Sequence, residues 1–308
     1  MKRDLISLQD YSTDEILALL DSAGELKPHR GKRLDSLNGK SIGLIFQKPS
    51  NRTRVSFEVG IWELGGNCIY LGPEEINLGK RESAADVAKT LSRYLHGLVA
   101  RTHSHQDIIE LSKQATVPVI NGLSDLYHPC QALADLLTIK EKFRSLKGLT
   151  LAYVGDGNNV CHSLLIACTK VGMNMRVACP QGYNPTDYIV EMARTYGKET
   201  GAKITLMHQP KEAVKGAQVI YADVWVSMGQ ESESQERLKR FQGFQINRAL
   251  TNEAASDHIF MHCLPAHRGE EVAADVIDGP HSAVFDQAEN RLHVQKAILK
   301  FLIPKNSK

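Results

Sequence analysis

Short apolar runs alternate with amphipathic stretches along most of the chain. The run from Ser41 to Phe46 predicts a buried strand. Apolar residues then recur at helical spacing from Val55 to Leu64, and Gly65-Gly66 ends that predicted helix. The next apolar run, Cys68 to Leu71, completes a strand–helix–strand unit. Such units favour a parallel sheet with right-handed crossovers.

The same alternation continues to the end of the chain. Further strands are predicted at Gly97 to Ala100, Val117 to Ile120, Leu149 to Val154, Met175 to Ala178, Lys203 to Met207, Val219 to Ala222 and Ile259 to Met261. Helices are predicted at Gln106 to Gln114, Cys130 to Phe143 and Glu289 to Leu302. The pattern is typical of an α/β protein in which helices flank parallel sheets.

A chain of 308 residues exceeds the usual size of one hydrophobic core, so we expect two α/β domains, each with a central parallel sheet flanked by helices. The first should span residues 1–143 and the second residues 144–288. No linker composition separates them, so interdomain helices should join them. The helix ending at Phe143 is expected to cross the boundary, and the last helix, about 289–303, to pack back on the first domain.

Composition excludes several classes of protein. Apolar residues make up 42% and charged residues 23%, near the average of globular domains. A formal net charge of +2 argues against a nucleic-acid or membrane partner bound over the whole surface. There is no apolar signal core or membrane-spanning run, and the six cysteines are scattered. We therefore expect a cytoplasmic protein with free thiols.

Polar residues cluster after the predicted strands. Ligands of open parallel sheets bind beyond the carboxyl ends of the strands, so these clusters are expected to form one site. They are residues 50–54, 101–103, 128–131, 155–159, 223–229 and 262–268. The first, Ser50-Asn51-Arg52-Thr53-Arg54, places hydroxyls, two guanidinium groups and N–H groups at a helix start, which suits phosphate oxygens. Taken alone, the segment also fits an N-cap serine followed by solvated arginines.

Cofactor chemistry is poorly supported. Gly155 and Gly157 follow a strand, but Val160 stands where a dinucleotide fingerprint needs its third glycine. His103 with His105, His128 with Cys130, and His262 with Cys263 lack the spacing of a closed metal site. Cys263 beside His262 could also form a nucleophile–base pair, although neighbours on a strand face opposite sides and a buried structural cysteine is the alternative. We expect no metal and no organic cofactor.

Taken together, five motifs resemble those of the ornithine carbamoyltransferase family. They are Ser50-Asn51-Arg52-Thr53-Arg54, Arg101, His128-Pro129-Cys130-Gln131, Asp223 through Ser227-Met228-Gly229, and His262-Cys263-Leu264-Pro265. The resemblance implies a first domain that binds carbamoyl phosphate, a second that binds L-ornithine, and an active site between them. It also implies a homotrimer or a multiple of trimers, with small-molecule substrates and no cofactor.

The resemblance assigns roles residue by residue. The residues expected to contact carbamoyl phosphate are Ser50, Asn51, Arg52, Thr53, Arg101, His128, Gln131, Cys263, Leu264, Arg291 and Asn77. Those expected to contact L-ornithine are Asn159, Asp223, Ser227 and Met228. Arg101 and His128 would act on the carbonyl oxygen, while Asp223 and Cys263 would orient the amine and handle its proton.

Two positions depart from the family pattern. Asn51 stands where the family most often has Thr, and Asn77 stands where many members have Gln. Two alternatives remain open at this point. The chain could carbamoylate another amine, such as putrescine or N-acetylornithine, or it could be an idle phosphate-binding module. The direction of the reaction in a cell, arginine biosynthesis or arginine catabolism, does not follow from the residues.

Overall fold

A computed structural model describes residues 2–79, 81–226 and 231–303, without the side chain of Glu231. The chain divides into two compact units. Unit 1 comprises Met1–Leu137 and Glu289–Lys308, and unit 2 comprises Thr138–Ala288. Among the described helices none is long and apolar enough to span a membrane.

The described residues form nine strands and thirteen α-helices. The strands are β1 Ser41–Phe46, β2 Asn67–Leu71, β3 Gly97–Arg101, β4 Val119–Leu123, β5 Thr150–Val154, β6 Asn174–Ala178, β7 Ile204–Met207, β8 Val219–Ala222 and β9 Ile259–His262. The helices are α1 Thr13–Leu26, α2 Asn51–Glu63, α3 Pro73–Ile76, α4 Ala84–Leu91, α5 His105–Gln114, α6 Pro129–Phe143, α7 Asn159–Lys170, α8 Asp187–Thr200, α9 Pro210–Val214, α10 Ser234–Arg240, α11 Arg248–Thr251, α12 Ala274–Ile277 and α13 Val284–Leu302.

Unit 1 is built on a four-stranded parallel sheet in the order β2-β1-β3-β4. Its central strands, β1 and β3, are mostly apolar and buried because helices cover the sheet. Ile45, Leu98 and Val119 lie fully buried in this core, together with Ile108 and Leu111 of α5. The strand predicted at Val117 to Ile120 begins and ends further along the sequence, at Val119–Leu123.

Unit 2 contains a five-stranded parallel sheet in the order β7-β6-β5-β8-β9. The order reverses between β5 and β8, which is where open α/β sheets bind their ligands. Both divisions between the units fall inside a helix, at Leu137/Thr138 in α6 and at Ala288/Glu289 in α13. The predicted fold class, two domains with parallel sheets and interdomain helices, is confirmed.

Candidate active site

The phosphate segment of unit 1 is the start of α2. Ser50 is the N-cap residue, and its hydroxyl accepts a hydrogen bond of 3.3 Å from the backbone N–H of Thr53. Asn51 and Arg52 are exposed, whereas Thr53 is buried. A capped helix start presents N–H groups and the positive end of the helix dipole to an anion. The segment therefore has both the geometry and the charge of an anion cradle.

Arg291 connects this cradle to α6. Its guanidinium donates to Oγ1 of Thr53 at 3.1 Å and to Oε1 of Gln131 at 2.7 Å. Gln131 in turn donates from Nε2 to the buried carboxylate of Asp135 at 2.8 Å. The structure thus joins three predicted residues, Thr53, Gln131 and Arg291, in one buried network of unit 1. Asp135, which the sequence did not single out, orients the amide of Gln131.

Arg101 and His128 supply the remaining polar groups of unit 1. Arg101 is the last residue of β3 and pairs in register with Phe46 of β1, while His128 lies just after β4 and before α6. Both side chains are buried. Burial, reinforced by the charges of Arg291, Arg101 and Arg52, holds the pKa of His128 well below its usual value. His128 is therefore neutral near pH 7 and can donate one hydrogen bond without carrying a charge.

In unit 2 the strand register brings Asp223 and Cys263 together. Ala222 of β8 pairs with His262 of β9, so the residues that follow these two strands lie side by side. The thiol of Cys263 donates to Oδ1 of Asp223 at 2.9 Å. Asp223 is buried and Cys263 is partly exposed. The two residues predicted to handle the amine proton are thus in direct contact.

Asn158, which sequence analysis did not single out, touches Asp223. Its Nδ2 donates to Oδ2 of Asp223 at 2.6 Å. Its Oδ1 accepts from the N–H groups of Val160 and Cys161 at 3.0 and 3.2 Å and so caps α7. Asn159 is the first residue of α7 and is partly exposed, and its role in binding stays a prediction.

A buried ion pair supports the loop after β8. The guanidinium of Arg237 contacts the carboxylate of Asp156 and donates from Nε to the carbonyl of Trp225 at 2.6 Å. Burial raises the pKa of Asp156 to about 6, against the opposing pull of Arg237. Sequence analysis missed this pair, because nothing in the local pattern marks Arg237 of α10 as a partner of Asp156. Its contact with the Trp225 carbonyl anchors the chain close to Asp223.

The remaining predicted residues are placed as follows. Asn77 follows α3 in a left-handed conformation, with φ of 40°. Ser227 and Met228 lie outside the described residues. Leu264, like Asn77, has a positive φ, 58°, and its peptide bond with Pro265 is cis. All six cysteines lie in the described part of the chain, and no disulfide links them.

Among the residues that the structure describes, two clusters hold donor atoms of the kinds that bind metals. The side-chain donors of Asp223, His262 and Cys263 lie within 4.8 Å of one another, as do those of His267, Glu270 and Glu271. In the first cluster, however, Nδ1 of His262 already accepts a hydrogen bond from the backbone N–H of Leu264 at 2.8 Å. Its Nε2 faces Glu271 at 3.2 Å. Nδ1 of His262 is thus engaged by a hydrogen bond within the protein, and Nε2 lies against the buried carboxylate of Glu271.

Unit 1 thus carries a capped helix start and a neutral histidine, and unit 2 carries a carboxylate–thiol–amide cluster. Two family models match the chain. The carbamoyl-P binding domain of aspartate/ornithine carbamoyltransferase matches residues 3–141, and the Asp/Orn binding domain of the same family matches residues 147–302. The chain belongs to the aspartate/ornithine carbamoyltransferase family, as the motifs predicted.

Individual relatives agree with this family. The chain is 54% identical over 303 residues to the ornithine carbamoyltransferase of Bacillus subtilis, covering 98% of this chain and 94% of the relative. It is 54% identical to the anabolic ornithine carbamoyltransferase of Pyrococcus furiosus, covering 98% and 96%. A solved structure of ornithine carbamoyltransferase from Pyrococcus furiosus has a TM-score of 0.96 at 53% identity and covers 100% of this chain and 98% of that one.

Proposed function

We propose that the protein transfers the carbamoyl group of carbamoyl phosphate to the δ-amine of L-ornithine, giving L-citrulline and phosphate. The observation that carries the proposal is the 54% identity to ornithine carbamoyltransferases along 98% of the chain. In this reaction the neutral amine attacks the carbonyl carbon, the bond from carbon to the phosphate oxygen breaks, and the amine loses a proton.

The residues of unit 1 would bind carbamoyl phosphate. Ser50, Asn51, Arg52 and Thr53 would hold the phosphate at the start of α2, where N–H groups and positive charge favour an anion. Arg101 would reach the phosphate and the carbonyl oxygen. His128 would donate to that oxygen as a neutral imidazole, which the lowered pKa supports. Fixed donors of this kind stabilise the charge that develops on the oxygen during attack.

The carbamoyl amino group needs acceptors. Gln131, held by Arg291 and Asp135, and the Cys263–Leu264 backbone are the groups we propose for it. Arg291 itself would lie near carbamoyl phosphate. Asn77, in its left-handed turn after α3, is proposed to approach carbamoyl phosphate as well.

Asp223, Asn159, Ser227 and Met228 would bind L-ornithine. An alkylamine is mostly protonated at neutral pH, so the site must favour its free base. Asp223 and Cys263, in contact at 2.9 Å, are the groups proposed to orient the amine and handle its proton, with the carboxylate of Asp223 as the group able to accept it.

The decisive experiment offers L-ornithine, putrescine and N-acetylornithine side by side with carbamoyl phosphate. We expect citrulline and phosphate from L-ornithine at the highest kcat/KM. Faster turnover of either other amine would overturn the substrate assignment. Binding of carbamoyl phosphate without turnover of any amine would instead indicate an idle phosphate-binding module.

A homotrimer, or a multiple of trimers, is the proposed assembly. One face of α2 supports it, because Val55, Val59 and Trp62 recur at helical spacing and remain 54%, 39% and 51% exposed. Apolar side chains aligned on one exposed helix face are typical of a protein–protein interface. We also propose a cytoplasmic location, which thiols without disulfides suit.

A further inference from the structure

His262, the last residue of β9, is fixed from several sides. Its backbone N–H donates to Oε1 of the buried Gln287 at 2.9 Å. Its Nδ1 accepts from the backbone N–H of Leu264, two residues later, at 2.8 Å. Because Nδ1 is an acceptor, the proton of a neutral His262 ring must lie on Nε2. The contact with Leu264 therefore requires the tautomer of His262 that carries its proton on Nε2.

The backbone that this contact holds has an uncommon conformation. Leu264 has a φ of 58°, in the left-handed region that costs a non-glycine residue free energy. Such a conformation persists where neighbouring contacts determine it. The hydrogen bond to His262 is one such contact, and it sets the direction of the peptide between Cys263 and Leu264.

Glu271 faces the other nitrogen of His262. It lies in the turn before α12, where its backbone carbonyl accepts from Ile246 at 2.8 Å. Its carboxylate is fully buried, accepts from the backbone N–H of His267 at 2.5 Å, and lies 3.2 Å from Nε2 of His262. A buried carboxylate favours a ring nitrogen that carries a proton over one that presents a lone pair.

We propose that Glu271 is a positioning residue for the carbamoyl amino group. It selects the Nε2–H tautomer of His262, which leaves Nδ1 free to accept from Leu264 and holds the Cys263–Leu264 backbone in the direction that receives the substrate amide. The proposal rests on the proposed function, because it takes that backbone as the acceptor of the carbamoyl amino group. It adds two residues, Glu271 and His262, that never touch the substrate.

The test compares the affinity for carbamoyl phosphate with the affinity for inorganic phosphate, by calorimetry on the full chain without ornithine. Glu271→Leu should weaken carbamoyl phosphate binding about tenfold, the effect of one hydrogen bond, and leave the Kd of phosphate unchanged. Glu271→Gln keeps an acceptor of the same size and should restore most of the loss. If Glu271 only stabilised the fold, Glu271→Leu would lower the folded fraction and leave the ratio of the two affinities unchanged. That result would overturn the proposal.

Two variants of His262 test the tautomer independently, including the case in which Glu271→Leu does not fold. His262→Asn places an acceptor near the position of Nδ1, two residues before Leu264, whereas His262→Gln places its amide near the position of Nε2. We expect the Asn variant to retain the higher affinity for carbamoyl phosphate. Equal or reversed affinities would contradict the proposal. Turnover of ornithine by the unmodified protein is measured separately, so failure of the proposed function is distinguished from failure of this inference.

Discussion

Arg101 is the residue whose loss should most directly impair catalysis. It is buried at the end of β3 and is proposed to contact both the phosphate and the carbonyl oxygen. Arg101→Ala should lower kcat/KM by at least about a hundredfold, since one such donor contributes about 3 kcal/mol in the transition state. Steady-state citrulline formation measures the change. Arg93→Ala, an exposed arginine of the same unit, is the matched control and should be nearly normal. Near-normal turnover of Arg101→Ala would contradict the site assignment.

Asn158 combines two tasks that substitution can separate. It caps α7 and donates to Asp223 at 2.6 Å. Serine caps helices about as well as asparagine, but its shorter side chain cannot also reach the carboxylate. Asn158→Ser should therefore keep the thermal stability while raising the KM for L-ornithine by about tenfold, the effect of one hydrogen bond to a charged group.

Asn158→Ala is the control that removes the cap, the bond to Asp223 and the 3.3 Å contact with the hydroxyl of Tyr153. It should raise the KM in the same way and also lower the free energy of unfolding by about 1 kcal/mol through the lost cap. Thermal melting and initial-rate kinetics on the same preparations distinguish the two effects. An unchanged KM in the serine variant would show that ornithine binding by Asp223 does not require the hydrogen bond from Asn158.

The sequence could predict the ends of strands but not the partners that meet there. Ser50, Arg101, His128, Asp223 and Cys263 stand out because polar residues interrupt apolar runs. Asn158 and Asp223, by contrast, are 65 residues apart, and Asp156 and Arg237 are 81 apart. Such pairs depend on the sheet order and register, which local patterns do not encode.

At the scale of elements, α2 shows the limit of hydrophobic periodicity. The pattern correctly predicts a helix that ends at Gly65-Gly66, and Ile61 and Leu64 are buried as a core face requires. Val55, Val59 and Trp62 share the periodicity, yet they are exposed. Periodicity identifies an apolar face but not what covers it. The start of α2 at Asn51 follows from the Ser50 cap, which lies outside the apolar pattern.

The exposed face of α2 gives an element-scale prediction. Trp62→Lys should disrupt the proposed homotrimer, because a charge would have to lose its water at the interface. Light scattering should give three times the 34.1 kDa of the chain, or a multiple of that mass, for the unmodified protein and a lower mass for the variant. Tyr188→Lys on α8 is the control, since Tyr188 is 53% exposed and belongs to unit 2. A trimer that survives Trp62→Lys would exclude this face as the interface.

β4 explains an error of prediction in physical terms. The apolar run began at Val117, but Pro118 has no N–H for a strand ladder and β4 starts only at Val119. The strand continues through Asn121, a polar residue that the pattern excluded. Asn121 is fully buried because its side chain donates to the carbonyl of Ile6 at 2.9 Å. The Nδ2 donor of this polar residue inside a strand thus pairs with a chain segment more than a hundred residues away in sequence.

For the whole molecule, buried histidines should make stability depend on pH. Burial lowers the pKa values of His105, His128, His258 and His293 below the usual 6.5. In the unfolded chain these groups bind protons from about pH 6.5 downward, whereas in the folded chain they bind them only at lower pH. The unfolded state therefore gains protons first, and the free energy of unfolding falls as pH decreases below about 6.5.

His128 should contribute most clearly to this slope, because its pKa is held well below the usual value by burial and by three arginines. Each such histidine changes the free energy of unfolding by at most about 1.4 kcal/mol per pH unit. We expect His128→Gln to reduce the slope by up to that amount below about pH 6.5, whatever its effect on absolute stability. Urea unfolding at a fixed protein concentration and several pH values measures it. A slope identical to that of the unmodified protein would mean that His128 is protonated as readily in the folded state as in the unfolded one, and a neutral donor at the carbonyl oxygen would then have to be sought elsewhere.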